Sequence, residues 1–175
     1  SNIIYSVILL SITLWGVLSL QAESQTLFMS PLLLYRAIFV GPIIIGAAFL
    51  MLAQYYPNEK LQRTLKTVII SFVIPCLFII LCFSPWLIVS GAKINGELFL
   101  ERGPGYYAFV IYFLTYLILG FYNISLKIGS LKGMARLQLR YLRLGFLLSA
   151  IISVVTNILL PILGEPKFFE PAVAT

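Results

Sequence analysis

Residues 30–57 read SPLLLYRAIFVGPIIIGAAFLMLAQYYP, and their reading decides the fold class. Ser30 followed by Pro31 is a helix start. A serine hydroxyl accepts from an orphan first-turn N–H, and a proline with fixed φ and no N–H suits the first helical position. From residue 32 to residue 56 the one ionic side chain is Arg36. At about 1.5 Å of rise per residue, such a run crosses a hydrocarbon core of roughly 30 Å. Pro57-Asn58-Glu59-Lys60 then breaks it.

The rest of the chain has the same character. Of its 175 residues 61% are hydrophobic and 10% charged, and the mean hydropathy is +1.02. A soluble domain is about 45–50% apolar and about 25% charged. A disordered tail, a disulfide-stapled secreted module and an ordinary water-soluble enzyme all need polar surface that this chain lacks. There is no His and no Asp, and the acidic residues are six Glu. Histidine-ligated metal sites and hydrolytic triads are therefore excluded within the chain, and no catalytic constellation, metal site or cofactor site is expected. Cys76 and Cys82 fit neither a redox pair nor a zinc spacing and read as small buried hydrophobes. The net charge of +6 is dispersed between apolar runs, which argues against nucleic acid and for membrane topology.

The pattern predicts an all-α polytopic membrane helix bundle, a single domain over 1–175, with five transmembrane helices over about 2–20, 32–56, 65–89, 106–127 and 137–160. The first run lacks the basic start and the cleavage site of a signal peptide, so it is counted as a retained helix. Pro75 predicts a kink in the third helix, and Pro85 an end or second bend. Lys60, Arg63 and Lys66 flank one connector, and Lys127, Lys132, Arg136, Arg140 and Arg143 another. By the positive-inside rule, 57–66 and 127–136 are cytoplasmic, and 21–31, 90–105 and 161–175 external. Between the third and fourth helices, Asn95-Gly96 sits between β-prone flanks. That predicts a small external β-hairpin over 92–100 with a type I′ turn.

Polar groups inside a membrane are the candidates for function. Arg36 is the sharpest. Either it snorkels or pairs with Glu23, Glu97 or Glu101, or it is a cation in an external cavity that holds an anionic or carbonyl-bearing ligand. Tyr112, Thr156 and Asn157 fall in the same outer half and complete the candidate ligand-binding set, although an Asn such as Asn157 is by itself more often interhelical glue than a ligand contact. Trp86, Tyr106 and Tyr107 read as an outer aromatic belt, with Tyr55 and Tyr56 as an inner one. Lys127, Lys132, Arg136, Arg140 and Arg143 are placed on anionic lipid headgroups or in a relay to a cytoplasmic domain. No carboxylate lies within a span, which lowers the case for proton-coupled transport.

The order of these features resembles the N-terminal seven-helix membrane region of bacterial sensor histidine kinases. The matching elements are Leu14-Trp15 in SITLWGVL, the Arg36 helix ending in AQYYPNEK, the Gly-bounded connector into GPGYYAFVIYFLTYLILGFYNISL, and RLQLRYLRLGFLLSAIISVVTNILLPILG. In the last, Arg136, Gln138, Gly145, Asn157, Pro161 and Gly164 fall where the family pattern leads us to expect them. The resemblance implies a sensory module of the bacterial inner membrane that binds a small external or lipid-like ligand. It would pass a helix rearrangement to a cytoplasmic kinase domain of the same polypeptide, with a homodimer as the candidate assembly. Five spans match seven if one helix precedes Ser1 and one follows Thr175. The rival readings are a transporter or channel subunit, tested by liposome flux, and a structural subunit of a membrane complex, tested by copurification.

Overall fold

The computed structural model describes residues 2–23, 29–56, 69–94 and 97–159. Five helices and one hairpin follow in chain order: α1 (Asn2–Glu23), α2 (Pro31–Tyr55), α3 (Ile69–Cys82), β1 (Ile88–Ile94), β2 (Glu97–Arg102), α4 (Gly105–Ser130) and α5 (Gly133–Val154, continued by a π turn, Val155–Leu159). Four of them, α1, α2, α4 and α5, are long and apolar enough to cross a membrane. The bundle is all-α apart from the two-stranded sheet.

α2 starts as the sequence predicts: the Ser30 hydroxyl accepts from the Leu33 N–H, and Pro31 takes the first turn. The helix runs on through Pro42. It is the central element, packed by α1 on one side and by α3, α4 and the hairpin base on others. The core reflects this, with Ile43, Phe49 and Leu50 of α2 meeting Tyr112, Phe113, Tyr116 and Ile124 of α4, together with Leu87 and Ile88 at the root of β1. α1 and α5 leave long apolar faces exposed, among them Leu9, Leu10 and Leu14 on α1 and Leu144, Leu148 and Ile151 on α5. In a bilayer those faces meet lipid, which costs nothing for apolar surface.

The third helix departs from the sequence reading. Its described part begins with a π turn, Ile69–Val73, just before Pro75, which is the distortion expected where a proline removes a rung of the ladder. It then ends at Cys82, well short of residue 89. Pro85 cannot donate to the carbonyl of Leu81, and it disfavours helical geometry at Ser84. That carbonyl is instead satisfied by the Ser84 N–H at 3.1 Å and the Ser84 hydroxyl at 2.7 Å. The residues released, Ile88 and Val89, become the start of β1. The hairpin is accordingly longer than the predicted 92–100, although it is centred as expected: Ile94 pairs with Glu97, and the two residues between them, Asn95 and Gly96, lie outside the described residues.

The hairpin is fastened at its root. The Gly103 N–H donates to Leu87 O and the Gly105 N–H to Trp86 O, both at 2.9 Å. A Cβ on Gly105 would lie 2.2 Å from the Trp86 ring, so only glycine admits the indole against the start of α4.

Candidate functional site

Two polar clusters lie at opposite ends of α2. At its start, one turn and a half into the helix, Arg36 projects toward the end of α3 and the root of β1. Its Nη1 donates to the carbonyl of Phe83 at 3.1 Å and its Nη2 to that of Ile88 at 3.0 Å. The third donor, Nε, is buried with no partner among the described residues. Among the described residues the cation is therefore held by backbone carbonyls. Of the acidic residues considered as partners, Glu101 accepts from the Ser90 hydroxyl at 2.9 Å inside the hairpin, and the side chains of Glu23 and Glu97 fall outside the described residues. Phe83 is the residue that caps α3. An orphan carbonyl at a helix C-terminus carries excess partial negative charge, which is why a guanidinium is at home there.

Tyr112 is buried on α4 and donates to Ile43 O at 3.0 Å. Ile43 lies two turns beyond Arg36, roughly 10 Å along the helix axis. Arg36 and Tyr112 thus both act on α2, at different depths. The Tyr112 ring packs against Phe78 of α3 at 4.6 Å and against Tyr116 at 4.2 Å. Tyr116 donates to the carbonyl of Ile70 in the π turn. A π ladder pairs that carbonyl with residue 75, which is a proline without an N–H, so the phenol supplies the missing donor. Thr156 bonds back to Ile152 O at 2.9 Å on α5. The backbone of Asn157 belongs to the π turn Val155–Leu159, and its side chain lies outside the described residues.

The aromatic residues at this end divide. Trp86 and Tyr107 are exposed, as an interfacial belt requires, whereas Tyr106 is buried against Phe39 and Phe109 with Arg102 4.8 Å over its ring. The polar hydroxyl of a tyrosine did not keep it at the surface, because the first turn of α4 faces α2. The cysteines divide likewise: Cys82 is buried and Cys76 exposed on the apolar outer side of α3.

At the other end of α2, Lys127 of α4 donates to the carbonyls of Gln54 at 2.6 Å and Tyr56 at 2.8 Å. These are last-turn acceptors of α2, so the ammonium closes that helix while also sitting in the last turn of its own. The Tyr56 hydroxyl donates to Gln138 Oε1 of α5 at 2.8 Å, and Arg143 Nη1 donates to Ser125 Oγ of α4 at 3.3 Å. Lys132, Arg136 and Arg140 are exposed. The five basic residues grouped by sequence therefore separate into two that tie helices together, Lys127 and Arg143, and three that face outward. Gln54 and Gln138 were not singled out as site residues by sequence; their roles depend on partners 73 and 82 positions away in the chain.

Among the described residues no group of His, Cys, Asp or Glu could hold a metal ion. Residues 2–169 match the family described as the N-terminal 7TM region of histidine kinase. No curated protein and no solved structure is matched.

Proposed function

Because the chain belongs to the family of N-terminal 7TM regions of histidine kinases, we propose that it is the membrane input region of a bacterial receptor whose hairpin end receives a small molecule. The ligand is external or membrane-dissolved and carries an anionic or carbonyl group. Arg36 receives it, with Tyr112, Thr156 and Asn157 lining the path deeper into the bundle. The response passes along the helices to a cytoplasmic kinase domain of the same polypeptide, which works as a homodimer in the inner membrane. In this arrangement 57–66 and 127–136 face the cytoplasm, and 21–31, 90–105 and 161–175 face outward.

The observation that carries the reading is the Arg36 tie. Two hydrogen bonds join α2 to the end of α3 and the root of the hairpin, and at the far end of α2 two more join it to α4. α2 is thus a strut with a polar fastening at each end. A ligand bearing a full negative charge competes with neutral carbonyls for the guanidinium, because a forked guanidinium–anion pair adds the attraction of two full charges to its hydrogen bonds. Its binding favours the packing in which Arg36 has left Phe83 and Ile88, and that differential affinity is what a signal requires.

The test uses the full-length receptor. Arg36→Ala removes both the ligand's partner and the tie, so the dose-response is lost and the ligand-free output moves toward the stimulated level. Arg36→Lys keeps the charge but not the forked geometry and gives a weakened response. An unchanged dose-response in Arg36→Ala overturns the site.

A further inference from the structure

The start of α5 carries a basic patch, Lys132, Arg136 and Arg140, with no side-chain hydrogen bond or ion pair among the described residues. Lys132 caps the helix without a side-chain hydrogen bond, and the first turn holds no acidic residue. Arg136 and Arg140 follow four residues apart, both exposed. Two like charges at that spacing repel, and an isolated helix loses a few tenths of a kcal/mol by it. No acidic residue occurs anywhere between Arg102 and Gly164, so neither α4 nor α5 can supply a carboxylate. Arg143, on the same stripe, is turned to Ser125. Along the edge of this stripe lies an exposed apolar face: Leu137, Tyr141, Leu144 and Leu148. At 100° per residue Arg140 stands between the stripe and that face.

A phosphate anion with an acyl chain attached satisfies both halves at once. We infer that Lys132, Arg136 and Arg140 form a docking site for the phosphate of an anionic membrane lipid, with the lipid's acyl chain lying along Leu137, Tyr141 and Leu144. Two guanidiniums separated by one helical turn can each fork onto phosphate oxygens, and the uncapped N–H groups of the first turn face the same anion. The occupant follows from the charge complementarity and from the continuity of the basic stripe with a lipid-facing surface. A free phosphate would use the charges and leave the apolar face without a role. This site does not rest on the sensory reading, since it needs only that the chain sits in a bilayer.

Native mass spectrometry of the whole chain in detergent, titrated with phosphatidylglycerol or phosphatidylcholine of matched acyl chains, tests it. Phosphatidylglycerol is retained preferentially, and Arg136→Gln with Arg140→Gln reduces that preference by about fivefold for each charge removed. Arg136→Lys with Arg140→Lys keeps most of it. Inorganic phosphate does not displace the lipid beyond the effect of chloride at equal ionic strength. Arg143→Gln leaves lipid retention unchanged while lowering the unfolding temperature. The inference is overturned by equal retention of the two lipids, by a double glutamine variant that binds like the parent, or by displacement with inorganic phosphate alone. It is also overturned if Lys60→Gln, Arg63→Gln and Lys66→Gln together abolish the preference while the α5 arginines are intact.

Discussion

Lys127→Met is the most informative single change, because it keeps the aliphatic stem and deletes one ammonium with a defined task. That ammonium donates to Gln54 O at 2.6 Å and to Tyr56 O at 2.8 Å. Hydrogen bonds to a charged group contribute about 1.5–3 kcal/mol each. Water or headgroups at the helix end recover part of this, so the lower value for each bond is appropriate and the loss is about 3 kcal/mol. For a chain of this size, that lowers the unfolding midpoint by roughly 6–12 °C. The assay is thermal unfolding of the purified chain in detergent micelles, followed by tryptophan fluorescence from Trp15 and Trp86. Lys127→Arg is expected to fall between parent and methionine variants, since a planar fork does not reproduce one nitrogen shared by two carbonyls two residues apart. A methionine variant that melts with the parent would refute the assignment of Lys127 as the closure of α2. Under the proposed input role the same change frees the Lys127 end of α2, so the full-length receptor is expected to bind its ligand with a smaller step in kinase output.

Two further changes probe the packing that holds these ties. At Gly120 an added Cβ would lie 2.4 Å from Cε1 of Phe49, a fully buried ring stacked on Phe146 at 4.7 Å, whereas at Gly145 it would meet nothing within 4 Å. Gly120→Ala should therefore destabilise by about 1–2 kcal/mol, overpacking outweighing helix propensity, and Gly145→Ala should stabilise by up to about 1 kcal/mol; the same sign for both would contradict the close approach of α2 and α4. Tyr116→Phe removes the donor to Ile70 O and should loosen the π turn of α3 by about 1 kcal/mol. Hydrogen exchange at residues 69–73 reads this directly, and protection equal to the parent's would show that the phenol is dispensable.

What the sequence made legible was what local chemistry encodes. Ser30-Pro31 marks a helix start because the hydroxyl and the pyrrolidine act within one turn, and Asn95-Gly96 marks a hairpin because its strands are adjacent in the chain. The end of α3 was half legible: Pro85 announced a break, but the break falls at Cys82 because the Leu81 carbonyl is taken over by Ser84. The partners of Arg36 and Lys127 were not legible at all. Both cations bind backbone carbonyls, which every residue carries, at separations of 47, 52, 71 and 73 positions. A search of the sequence for a counterion looks for carboxylates, and here the counter-charge is the end of a helix. Tyr106 misled in the opposite direction, since an interfacial aromatic and a core aromatic have the same composition signal and differ only in which face of α4 meets α2.

The two cations that fasten α2 obey one rule. Arg36 sits on the carbonyl that follows α3, and Lys127 on the last carbonyls of α2. A helix C-terminus offers an effective charge of about half an electron, enough to hold a cation where the interior has no acid. It is weaker than a carboxylate, and the difference has consequences. Lys127 is complemented twice, by the end of α2 and by the end of its own helix, so an anion arriving there would displace two favourable interactions. Among the described residues Arg36 is complemented by one helix end and by a strand carbonyl, and its Nε has no partner. Of the two fastenings, the one at the hairpin end is therefore the easier for an anionic ligand to take over, and the one at the far end is the better fulcrum. A chain that replaced the carbonyl partners of Arg36 with a buried carboxylate would be more firmly tied and, under the proposed role of Arg36, is expected to respond less.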